Sequence, residues 1–144
     1  MIYVNSVSSA LFTTIASDST LVSSGISFCL NNIMNSDPNF SPWVGVYYDS
    51  TQIEPYRANT TVPWMATHNF VVYSQIYGYD NAEENREELD KLNTLILNAV
   101  NANKKLDNTV LNLMELSINP FQVDLENEDV LFMDQINLQY QVLC

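Results

Sequence analysis

A chain of 144 residues, 47% of them hydrophobic, is long enough to bury a core and too apolar for wholesale disorder. Seventeen acidic residues against five basic ones leave a net charge of −12, a field that repels phosphate and disfavours a grip on nucleic acid or an anionic membrane. Three glycines and five prolines exclude a low-complexity or fibrous chain.

All five cations, Arg57, Arg86, Lys91, Lys104 and Lys105, lie in the middle of the sequence. Solubility is the plain reason for such an acidic surface; a wall that DNA passes without sticking is the sharper one. Cys29 and Cys144 are the only cysteines, so no disulfide framework is expected. No basic stretch followed by an apolar one opens the chain, and no apolar run approaches the ~20 residues that span a bilayer. The expectation is a soluble protein made in a reducing cytoplasm.

Val4, Val7, Leu11 and Ile15 recur at helical spacing, which predicts an N-terminal helix weakened by its Ser and Thr residues. Asp18 or Ser19 caps a second short turn that Gly25 ends. From Ile26 the period becomes two, and Ile26, Phe28 and Leu30 predict a strand. A polar loop with two prolines follows, then a second strand over Trp43 to Tyr48. Residues 49–66, with Pro55 and Pro63, read as a long polar loop. At that length a loop is expected to be functional or ordered by a partner.

The third strand, His68 to Tyr79, is apolar on both faces, as suits a central strand. Asp80 or Asn81 then caps a helix over about 81–101. Glu83, Glu84, Glu87 and Glu88 fill its first turns and Lys104-Lys105 follow its end, matching the helix dipole. Leu89, Leu92, Ile96 and Ala99 form its buried stripe. Two strands close the chain, Val110 to Val123 and Val130 to Val142, joined by an acidic tip at residues 124–129. Pro120 marks a bulge or an edge position. In the last strand Phe132, Ile136, Leu138, Tyr140 and Val142 alternate with Met133, Gln135, Asn137, Gln139 and Gln141. The fold class is α+β: a mainly antiparallel β-sheet with the N-terminal helix and the long central helix packed on one face, in a single domain over residues 1–144.

The search for chemistry returns little. His68, the only histidine, precedes a strand rather than facing a nucleophile, and reads as a strand-edge residue. Nucleophile elbows, phosphate-binding glycine loops and zinc-binding helices are absent. The run Asp124, Glu126, Glu128, Asp129 lacks the glycine and spacing of a calcium loop and reads as a solvated tip. The glutamate pairs of the long helix are explained by its N-terminus. No catalytic residue, cofactor or metal is expected, and the chain is not read as an enzyme. Aromatics beside loops, Phe40, Trp43, Tyr56 and Trp64, suit either sheet edges or a protein interface.

The strand Asn69-Phe70-Val71-Val72-Tyr73-Ser74-Gln75-Ile76-Tyr77-Gly78-Tyr79-Asp80, the helix opening Ala82-Glu83-Glu84 and the closing strand Asp134 to Val142 resemble bacteriophage tail terminator proteins, also called tail-completion or tail-to-head joining proteins. The Pro42 to Tyr47 strand fits the same plan, and the likeness of pattern covers nearly the whole chain. It implies a structural virion protein of the tail or neck, assembled in the bacterial host cytoplasm. Its subunits form a ring, commonly a hexamer, that caps the tail tube and meets neck or connector proteins. DNA passes through without specific binding, and no membrane is involved. The expected interface, to a neighbouring subunit or the tube, lies in the long loop at Tyr56, Arg57, Thr60, Thr61 and Trp64. Two rivals remain. One is another connector or a tail-tube subunit, although tube proteins usually carry a long hairpin that no segment here clearly supplies. The other is a small acidic adaptor domain that binds a basic partner.

Overall fold

The computed structural model describes residues 4–32, 37, 40–56, 64–78, 82–110, 112–124 and 130–143. In chain order these form α1 (Val4–Ala16), α2 (Ser19–Ser23), β1 (Ser27–Leu30), β2 (Trp43–Pro55), β3 (Trp64–Gly78), α3 (Ala82–Ala102), β4 (Asn112–Asp124) and β5 (Val130–Leu143). The five strands make one sheet in the order β1-β2-β3-β5-β4. All pairings are antiparallel except β1 with β2, which is parallel. The α+β reading holds, with α1 and α3 on one face of the sheet, and β3, apolar on both faces, sits at its centre.

α1 owes its helix to packing. It buries Val7, Leu11 and Ile15 completely or nearly so. At roughly 1.5–3 kcal/mol for each buried side chain this outweighs what its Ser and Thr residues lose in helix propensity, about 0.5 kcal/mol apiece. The Asp18 carboxylate caps α2 by accepting from the Thr20 and Leu21 amides at 3.1 Å each, and Gly25, at φ +70°, ends the turn. The expected cap of α3 at Asp80 or Asn81 lies outside the described residues. Beneath the helices Val44, Val46, Phe70, Val72, Ile136 and Leu138 form the sheet side of the main core, and Leu89, Leu92, Ile96 and Ala99 the α3 side.

The opposite face carries a smaller cluster at one end, where Tyr77, Leu131 and Met133 pack with Tyr73. Met133, expected on the wet face of β5, is buried there. Trp43 lies on this face as well, and its indole folds across Gly45. A Cβ at Gly45 would meet the ring at 2.3 Å and the Asn32 carbonyl at 2.6 Å, so only glycine fits.

The long loop expected over 49–66 is not a loop up to Tyr56. β2 continues to Pro55 and β3 begins at Trp64, in register from Thr51 opposite His68 to Pro55 opposite Trp64. The expectation failed because a bulge at Asp49 breaks the alternation: Tyr48 pairs with Phe70 and Ser50 with Asn69, leaving Asp49 as the extra residue. Pro55 closes the pairing on an edge strand, where its missing N–H costs no ladder bond.

α3 is fastened to the sheet by a polar network. Asp134 points to the helix side of β5 and is wholly buried. Its carboxylate accepts from Arg86 Nη1 at 3.0 Å and from Nη2, and also from the Asn93 amide, whose own oxygen accepts from the Ser74 hydroxyl. Arg86 is held in turn by Asp90, one turn further on, at 2.9 and 2.7 Å. These hydrogen bonds raise the Arg86 pKa further, so the guanidinium stays charged. Removing one partner of a buried pair strands the other charge. Arg86→Met is therefore expected to cost about 3 kcal/mol in denaturant unfolding, the low end of the range because the arginine is 44% exposed. A loss within ~0.5 kcal/mol, the scale of an exposed pair, would show that the network does not hold α3.

Candidate interaction surface

The helices cover only part of their face of the sheet. Past His68 the β2–β3 pair carries large side chains into solvent, although Ala66 between them stays buried. Directly opposed residues share a face, so Ile53, Pro55, Ala66 and Trp64 all lie on the helix side. Ile53 is 52% and Trp64 47% exposed, and Tyr56 follows at 40%. Trp64 opens β3 opposite Pro55, and Tyr56 follows directly after the end of β2. Arg57, Thr60 and Thr61 lie outside the described residues.

A polar and aromatic layer underlies this end. The bulge at Asp49 returns Thr51 to the helix side, where its hydroxyl sits 2.6 Å from the Tyr48 hydroxyl and 2.7 Å from His68 Nδ1. The rings of Tyr48, His68 and Tyr140 each meet Phe70 edge-on, with centroids 5.7, 6.4 and 6.2 Å away. His68, expected at a strand edge, lies inside the central strand and is fully buried, opposite Tyr140 of β5. His68 Nε2 and the Tyr140 hydroxyl are buried with no hydrogen-bond partner among the described residues. Burial lowers the His68 pKa and raises that of Tyr140, so both rings are held neutral.

A second apolar strip lies at the far edge of the sheet, where Leu116 and Ile118 of β4 are exposed on the helix side. Leu113, Leu116, Leu97 and Val100 line a cleft there of ≈ 380 Å³ between β4 and α3. The other face of the sheet is amide-rich: Asn69, Asn137, Gln139 and Ser117 line a cleft of ≈ 260 Å³ with Asp49 at its rim. The acids of α3 are spread along its solvent side.

Neither cleft joins a nucleophile to a base. His68, the one imidazole, hydrogen-bonds a threonine rather than facing either opening. Among the described residues no three His, Cys, Asp or Glu side chains stand close enough to hold a metal ion. Residues 125–129 of the acidic tip considered for calcium lie outside the described residues.

Sequence reasoning named Tyr56 and Trp64 but missed Ile53, hidden in the supposed loop. A period-two reading restarted after Asp49, with Thr51, Ile53 and Pro55 on one parity, is the signal that finds it.

The buried imidazole makes a pH prediction. Its folded pKa lies below the unfolded value of about 6.5, so the folded chain binds fewer protons there. The stability it confers is complete above pH ~6.5 and is lost as pH falls through the folded pKa. With a single histidine the ring C2 proton gives one NMR signal, and its midpoint is expected below 6.5. A midpoint at or above that value would contradict the buried, carboxylate-free environment.

No family model and no curated protein matches the chain. Among solved structures it is similar to a chain from the virion of a native gene transfer agent particle. That likeness covers 95% of this chain and 94% of the other, at 12% identity and a TM-score of 0.42.

Proposed function

We propose that this chain is a structural virion protein of a tailed-phage-like particle, a tail terminator that caps the tail tube and joins it to the head or neck. The observation that carries an assembly role is the exposed apolar group at the Pro55–Trp64 end of the β2–β3 pair. Ile53 and Trp64 are exposed on the same face of the β2–β3 pair, and Tyr56 is exposed just after it, on a chain that is otherwise strongly acidic. Large apolar groups grouped in this way mark surfaces that meet another protein. The terminator assignment itself comes from the sequence resemblance, and the strand–helix–strand–strand order of β3, α3, β4 and β5 is the arrangement that the resemblance implies. In this reading the subunits form a ring, commonly hexameric, and the acidic surface lets DNA pass without binding phosphate. The role is non-enzymatic.

A tail-tube subunit is the second reading, and one observation favours it. The β2–β3 hairpin, unexpected from the sequence, is the kind of element with which a tube ring packs on the next.

Tails assembled in the absence of this chain separate the readings by negative-stain microscopy. Overlong or uncapped tubes are expected for a terminator; no tubes at all would make it the tube subunit. Normal, capped tails would sink both. Trp64→Ala and Ile53→Asp, at exposed positions that leave the core intact, are expected to reproduce the loss while the free protein melts as wild type.

A further inference from the structure

Among the described residues the outer edge of β2 is open past Val46. β1 pairs only with Trp43 to Val46, and beyond Val46 no described residue hydrogen-bonds that edge. An unpaired edge is a template for another strand, and proteins usually blunt it with lysine, proline or bulges. Here the bulge at Asp49 and Pro55 stand at either end, and the edge between them holds Ser50, Thr51, Gln52, Ile53 and Glu54 without a cation.

We propose that the Ser50–Pro55 edge of β2 receives an extended, cation-bearing segment of a different protein as an added strand. Two observations define the occupant. Alternate residues of an added strand lie beside alternate residues of β2. On the helix side they meet Thr51, Ile53 and Pro55, with Trp64 behind, so that parity must be apolar. On the other side they meet Ser50, Gln52 and Glu54, with Asp49 at the bulge, so that parity is uncharged or positive. The second observation favours a different protein over a copy of this chain. Its cations are Arg57, Arg86, Lys91, Lys104 and Lys105, and none lies within β1 to β5. A strand from a second copy would set carboxylates or neutral groups beside Glu54, whereas a lysine- or arginine-bearing strand pairs with it. The inference stands on the edge itself and does not require the virion reading.

The test uses isotopically labelled full-length protein and two synthetic peptides the length of the open edge, one alternating lysine with valine and the other glutamate with valine. The lysine peptide is expected to shift and protect the amides of Ser50 to Glu54, and the glutamate peptide is not. Glu54→Lys is expected to weaken the lysine peptide about tenfold, the scale of one close charge pair. Circular dichroism melting confirms that the variant is folded. Equal binding of both peptides, or shifts confined to the acidic side of α3, would overturn the proposal. So would self-association of the unliganded protein that Ile53→Asp abolishes, which would make a second copy the occupant. No binding of either peptide would also count against it.

Discussion

A carboxylate with no exposure to water organises this fold. Asp134 stands on the apolar face of β5, where an unpaired charge would cost several kcal/mol, roughly the effective penalty for burying one ion. It is tolerated because Arg86 and Asn93 of α3 reach down to it and Ser74 of β3 completes the chain of hydrogen bonds. Those bonds do what apolar contact alone cannot: they fix the rotation and register of α3 on the sheet. The stripe of Leu89, Leu92 and Ile96 then meets Val72 and Ile136, and the helix cannot slide towards the end that holds Ile53 and Trp64.

Much of this was legible in the sequence, and the failures share a cause. The helical spacing of Val7, Leu11 and Ile15 and the alternation from Phe132 to Val142 found their elements because burial repeats without interruption. Asp134 falls on the buried parity of β5, a place that the alternation of Phe132, Ile136 and Leu138 skips. An acid among residues of buried parity, with one arginine on the facing helix, was itself the sign of a paired charge. The β2–β3 hairpin was lost to a single residue: Asp49 shifts the alternation, after which Thr51 and Ile53 look like polar loop, and two prolines complete the impression. Periodicity is a local signal, whereas the pairing of Thr51 with His68 joins residues far apart in the chain.

His68 shows the same separation of local and tertiary information. In sequence it is a lone polar residue before an apolar run. In the fold it is the base on which the open end of the hairpin rests, tied through Thr51 to Tyr48 and wedged against Phe70. Ile53 and Trp64 lie beside this buried, hydrogen-bonded layer on the same face of the strands. The amide-rich opposite face and the acids along α3 are suited to staying wet. The molecule thus divides into an exposed apolar sheet end and acidic, amide-rich surfaces, and the proposed function rests on that division.

Hydrogen exchange of the free and the assembled protein tests this division most directly. On incorporation into the proposed particle, the amides of Thr51 to Glu54 and of Trp64 to Ala66 should gain protection, while the solvent side of α3 exchanges as before. Unchanged exchange at the hairpin, with new protection along Glu83 to Asp90, would contradict the account, because the acidic helix and not the open sheet end would then be the surface that binds.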